Sequence, residues 1–168
     1  LPDKPKVLLP GVIDSDLVRC ASTRRSAFSR PVKTLGYFGS LSPDKGVQVL
    51  LDIMPQLTKS WRLLVTGSGP LTSKFIAAAA ESPDKLTFLG SVPNPELYPA
   101  MCSCDCTLIP RERVSDGGNS VFPFKALEYL VAGTHVIASG IAKFKETMDW
   151  SFVDLWDGEP ESLLGVLD

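Results

Sequence analysis

The chain has 168 residues, 44% of them hydrophobic and 21% charged, enough for one domain with a core of its own. Its net charge of −2 gives no sign of a nucleic-acid surface, and no apolar run approaches the roughly 18 residues of a membrane helix. The opening LPDKPKV carries neither a signal-peptide pattern nor an initiating Met, so the chain reads as a domain excised from a longer protein.

Taken in order, residues 6–9 (KVLL) read as a short strand, followed by Pro10-Gly11-Val12. Residues 19–31 are polar and basic without a clear period, which predicts a surface connection. From Thr34 the pattern becomes regular. TLGYFG reads as a strand and GSLSPDKG as a loop ending at Lys45-Gly46. Val47, Leu50, Leu51, Met54 and Leu57 then recur at helical spacing, with Pro55 expected to kink or shorten that helix. WRLLVTG is a second strand, followed by Gly67-Ser68-Gly69-Pro70 and a helix through Ala80. KLTFLG is a third strand. Pro93-Asn94-Pro95 opens a short helix, ELYPAM, whose length Pro99 is expected to limit. DCTLIP is a fourth strand, and after a loop a helix runs from Phe124 to Ala132, stopped by Gly133 in a left-handed cap. HVIAS reads as a buried strand, residues 143–148 as a helix or turn, SFVDLW as a strand, and residues 159–167 as a closing amphipathic segment. Strand and helix thus alternate about six times with short connections, which predicts an α/β, Rossmann-like open parallel sheet with helices on both faces.

Ligands of such sheets bind beyond the carboxyl ends of the strands, near the reversal of strand order. The loop Gly39–Gly46 leaves a strand there. Its glycine lets the backbone approach a ligand, and Lys45 adds a positive charge at the next helix start that suits a diphosphate. Glu128 is the odd residue of its helix. At about 100° per residue it falls within an arc of Phe124, Leu127, Leu130 and Val131, while Lys125 and Tyr129 point elsewhere. A carboxylate near a core needs a partner, and ligand hydroxyls or a lysine (Lys45 or Lys125) would serve. The amides of residues 119–124 precede that helix and face the same region, with Asp116-Gly117-Gly118 as a hinge or an ordinary loop.

Other chemistries fit poorly. Gly67-Ser68-Gly69-Pro70 lacks the third glycine of a dinucleotide fingerprint, and no Gly-Lys-Ser/Thr phosphate loop occurs. The single histidine, His135, lies in an expected buried strand and supports no serine-histidine triad. Cys102, Cys104 and Cys106 lack a second ligand pair for zinc and read as small hydrophobes, so no metal site is expected. With Cys20, reduced thiols fit a cytoplasmic protein.

FPFKALEYLVAGTHVIASGIAKFKE resembles the donor-site segment of the retaining GT-B glycosyltransferases of the glycogen-synthase-like group. Glu128 matches the second glutamate of that family's Glu-x7-Glu motif, Ala132-Gly133 its helix stop, and His135 to Ser139 its strand. Ser120 stands where the first glutamate belongs, and Lys125 where many members have proline, although a Pro-x-Lys-x-x-Glu-Tyr variant exists. Gly39, Leu41, Lys45 and Gly46 match the diphosphate-clamping loop, in which Ser40 replaces arginine and Arg111 and Arg113 are candidate substitutes. LLPGVIDSD is similar to the element that leads from the inter-domain linker.

The resemblance implies that residues 1–33 are linker and first strand, and that residues 34–168 are a domain binding a nucleoside-diphosphate sugar. The acceptor-binding N-terminal domain of the same protein would be absent from this chain. It implies Lys45 and Glu128 as catalytic residues, acting by electrostatics and nucleotide fixation. Gly39, Ser40, Lys45, Ser91, Val92, Ser120, Val121, Phe122 and Glu128 are implied as donor-binding residues, Ser91 and Val92 meeting the base and Ser120 to Phe122 the sugar and phosphate. No cofactor and no obligatory metal are implied. A non-catalytic or degenerate nucleotide-binding or partner-binding module of the same fold is the competing expectation, supported by Ser40 and Ser120. A nucleotide-sugar epimerase of related architecture is a smaller third possibility.

Overall fold

The computed structural model describes residues 13–23, 31–110, 124–139 and 153–167. The expected strand at residues 6–9, the hinge at 116–118, Arg111, Arg113, Ser120, Val121, Phe122 and the segment 143–148 lie outside the described residues.

Six parallel strands form one sheet in the order β3-β2-β1-β4-β5-β6. They are β1 (Lys33–Phe38), β2 (Trp61–Thr66), β3 (Leu86–Gly90), β4 (Cys106–Ile109), β5 (His135–Ser139) and β6 (Val153–Trp156). Between them lie α2 (Gln48–Ile53), α3 (Thr72–Glu81), α4 (Asn94–Cys102) and α5 (Phe124–Val131), with α1 (Ser15–Ser22) before the sheet and α6 (Pro160–Leu167) after it. The chain starts in the middle of the sheet, builds outward to β3, then returns across it to β4 through α4. Strand order therefore reverses between β1 and β4.

Alternation along each strand divides the core in two. Leu35, Tyr37, Leu63, Val65, Leu108 and Ile137 pack under α2, α3 and α6. Phe38, Ile109, Val136 and Ala138 pack under α1, α4 and α5. Both faces are thus covered, which is why the central strands read as almost continuous apolar runs.

Pro55 acts as expected. α2 ends at Ile53, and Met54–Gln56 tighten into a 3₁₀ turn. Gly133 stops α5 with φ 75°, the left-handed value a side chain resists.

Three expectations need correction. Residues 19–22 belong to helix α1 and not to an irregular connection. Asp14 caps that helix by accepting from the Asp16 amide at 2.8 Å, Tyr98 donates to the same carboxylate at 2.9 Å, and Leu17 is wholly buried. Pro99 does not shorten α4, which continues to Cys102. The bond Pro99 removes would have ended on the carbonyl of Pro95, in the first turn, so the later turns keep theirs. His135 is exposed, not buried, because it opens β5, and its Nε2 lies 2.7 Å from Asp154 on β6. Cys102 and Cys104 pack in the second core, where the Cys104 thiol donates to the Ala100 carbonyl at 3.4 Å.

Candidate functional site

The site begins where two strands part. β4 pairs with β5 as far as Ile109↔Ala138, but its ladder with β1 ends at Gly36↔Thr107. The Gly39 amide donates to Thr66 of β2 at 3.1 Å, so the N–H and C=O of Phe38, one residue earlier, face the β4 side. Among the described residues no strand pairs with them there. Buried backbone groups need partners, and helix α5 supplies them. The Phe38 amide donates to the Tyr129 hydroxyl at 3.3 Å, and the Phe38 carbonyl accepts from that hydroxyl at 3.4 Å and from Lys125 Nζ.

This requirement sets the rotation of α5. Its buried face is Ala126, Tyr129 and, just past its end, Ala132, while Phe124 is 47% exposed. The arc of Phe124, Leu127, Leu130 and Val131 expected to face the core is therefore not the buried face. Small residues on either side of Tyr129 let the helix settle close enough for its hydroxyl to reach the strand. Burial pushes that hydroxyl far above its ordinary pKa.

The neighbouring strand exits are tied together by backbone. The Leu41 amide donates to Ser68 at 2.9 Å and the Gly67 amide to Gly90 at 2.7 Å. A Cβ on Gly67, whose φ is 133°, would collide with the Gly39 carbonyl, so only glycine allows this approach. The Tyr37 hydroxyl donates to the Ser40 carbonyl at 2.7 Å and fixes the turn beyond β1.

Above these exits lies a crevice of about 480 Å³. It brings together Gly39, Ser40, Ser91, Val92 and Glu128, five residues singled out in the sequence, with Leu97 and Met101 of α4 as an apolar wall. Glu128 is half-buried and forms no ion pair among the described residues, so the lysine partner considered for it is not engaged. Lys45 stands outside the crevice walls. It closes a 3₁₀ turn, Pro43–Lys45, and pairs with Asp44 at 2.7 Å, with 51% of its side chain exposed.

Lys125 does line the crevice, although the sequence reading pointed it elsewhere. Its ammonium lies 5.6 Å above the Tyr37 ring, and burial lowers its pKa, Glu128 partly offsetting this and Lys45 adding to it. The signal in the sequence was its position one turn before Glu128 on the same helix. The crevice thus offers one cation, one carboxylate, turn amides and an apolar wall, which together can hold a polyanion bearing hydroxyls.

An open parallel sheet with this strand order, and a crevice at the carboxyl ends beside the order reversal, defines a doubly wound domain of the kind that binds nucleotides. The chain belongs to the Glycosyl transferases group 1 family, whose family model matches residues 32–156. It is 31% identical over 164 residues to a phosphatidyl-myo-inositol mannosyltransferase of Mycobacterium tuberculosis, covering 95% of this chain and 40% of that protein. It is 28% identical over 153 residues to a 2-deoxystreptamine glucosyltransferase of Streptomyces kanamyceticus, covering 84% of this chain and 38% of that protein. The chain therefore spans about 40% of the length of these relatives.

Among solved structures, Anabaena HepE in complex with UDP and glucose matches with TM-score 0.63 and 16% identity over 92% of this chain and 42% of that one. The catalytic domain of the cholesterol-α-glucosyltransferase of Helicobacter pylori matches with TM-score 0.60 and 19% identity over 83% of this chain and 85% of that one. The Rossmann-like α/β fold is that of GT-B glycosyltransferases.

Proposed function

We propose that this chain is the donor-binding domain of a retaining glycosyltransferase that takes its sugar from a nucleoside-diphosphate sugar. The observation that carries the reading is the crevice at the β1–β4 parting, where Glu128 meets the turn of Gly39 and Ser40. In this reading Glu128 accepts hydrogen bonds from the ribose hydroxyls, two charge-assisted contacts of the stronger kind. Ser91 and Val92, beyond β3, meet the base through their backbone, and Ser120 to Phe122 meet the sugar and phosphate. Gly39 leaves room for the diphosphate to approach the turn, and Ser40 offers it an amide. Lys45 reaches the leaving diphosphate only by giving up Asp44, an exposed partner that costs little to exchange. Catalysis is then mainly the stabilisation of charge on the departing diphosphate. No metal enters the scheme.

The acceptor site and the rest of the catalytic machinery belong to an N-terminal domain of the same protein, while helix α1 packs as part of the donor-binding domain. The names of the relatives, a mannosyltransferase and a glucosyltransferase, support sugar transfer. The crystallisation of HepE with UDP and glucose supports a nucleotide in the crevice. The test is calorimetric titration of the 168-residue chain with UDP, GDP and ADP. Saturable binding of one of them, weakened about tenfold or more by Glu128→Ala, supports the reading. Absence of binding to all three overturns it in favour of a non-catalytic module. The same chain alone is expected to transfer no sugar, and detectable transfer would contradict the division of labour.

A further inference from the structure

We infer that Lys125 is a diphosphate-binding residue of the crevice, with Glu128, one turn further along the same helix, taking the ribose. The inference rests on the donor-site reading above and adds a cation at the β1 exit, beside Gly39 and Ser40.

Among the described residues that line the crevice, Lys125 and Glu128 are the only basic and acidic side chains. They lie three residues apart on α5, so the helix separates them by about 4.5 Å of rise and presents both to the same side. A positive charge followed at that spacing by a hydroxyl-accepting carboxylate matches a nucleoside 5′-diphosphate, in which phosphate and ribose are adjacent.

Lys125 is also preorganised. Its ammonium donates to the Phe38 carbonyl and rests above the Tyr37 ring. An ammonium has three hydrogens, so two remain for a ligand while the anchor is kept. A side chain fixed in this way loses little freedom on binding.

The position of Gly39 supports the same reading. A Cβ on Gly39 would run into Lys125 Nζ, so the glycine leaves room for the ammonium at the exit of β1. Lys45 differs on each count, being outside the crevice walls, half-exposed and paired with Asp44. Burial that lowers the Lys125 pKa also leaves its charge poorly compensated, and an incoming anion reverses that.

The test compares diphosphates with monophosphates, because only the second phosphate distinguishes a phosphate ligand from a general prop of the fold. The 168-residue chain is titrated with UDP, GDP and ADP and with UMP, GMP and AMP, and the best-bound base is followed. Lys125→Gln is expected to weaken the diphosphate about tenfold and the monophosphate less than about twofold, while Lys125→Arg keeps the diphosphate within about threefold. Added salt should weaken diphosphate binding more steeply in the wild type than in Lys125→Gln. An unchanged diphosphate-to-monophosphate ratio in Lys125→Gln overturns the inference while leaving the donor-site reading intact. Equal loss of both nucleotides also overturns it, since Lys125 then acts on the fold. If the unmodified chain binds none of the six, the donor-site reading fails and takes the inference with it.

Discussion

Tyr129→Phe isolates the hydroxyl that closes the parting of β1 and β4. The tyrosine is fully buried, and its ring meets Phe38 edge-on with centroids 6.0 Å apart, a contact that phenylalanine retains. Only the hydroxyl is lost. The Phe38 carbonyl keeps Lys125, but the Phe38 amide is left with no partner in a buried site. An orphaned buried donor costs about 1–3 kcal/mol, and the 3.3 Å length of the bond places this case in the lower half, about 1–2 kcal/mol. Urea unfolding followed by tryptophan fluorescence reads this directly. With a slope of about 2 kcal/mol/M, the midpoint should fall by about 0.5–1 M at unchanged slope. A fall of less than about 0.2 M would show that the amide finds water or another partner, and would refute the account of why α5 is rotated as it is.

Gly67→Ala places a Cβ against the Gly39 carbonyl at a φ of 133° and should cost about 1–3 kcal/mol, measured by the same urea midpoint. Lys45→Ala removes only an exposed pair with Asp44 and should change stability by less than about 1 kcal/mol, so any loss of nucleotide affinity in that variant reports on binding. Alkaline pH should unfold the chain. Burial, with a contribution from Asp44, pushes Tyr37 up to about 12, burial and the bond to Asp14 push Tyr98 up to about 12, and burial raises Tyr129 further. Above about pH 10 the unfolded state releases these three protons first, so stability falls as pH rises through that range. Lys125 works the other way below its ordinary 10.5, but it is one group against three. A phenolate absorbance titration should show all three tyrosines ionising well above pH 10 or only as the fold is lost. Ionisation of all three near pH 10 in the folded chain would contradict their burial.

The alternation of strands and helices was legible because central parallel strands leave unbroken apolar runs, and glycine and proline mark their ends. Helix α1 was not, because its eight residues hold one wholly buried side chain, Leu17, and it depends on Asp14 and Tyr98 for its place. The rotation of α5 was misread for a reason that side-chain size conceals. Ranking residues by hydrophobicity favours Phe124 and Leu127, but the orphaned backbone of Phe38 requires Tyr129 between two alanines. Nothing in the local sequence announces where a ladder between strands distant in the chain will stop. The position of Lys125 follows from that stop, so its place in the crevice escaped notice. The placement of Glu128 rested on a carboxylate standing among apolar neighbours. It does line the crevice, but from the rim of the helix and not from the face turned to the core.

The most direct measurement of the central claim is the amide footprint of a nucleotide on the isotope-labelled chain. Titration with UDP, GDP or ADP should shift the amides of Gly39, Ser40, Gly67, Ser91, Val92 and Glu128 together, saturating with one affinity, and leave the opposite end of the sheet at His135 and Asp154 unmoved. Shifts centred away from the β1–β4 parting, or spread evenly over the surface, would contradict the account.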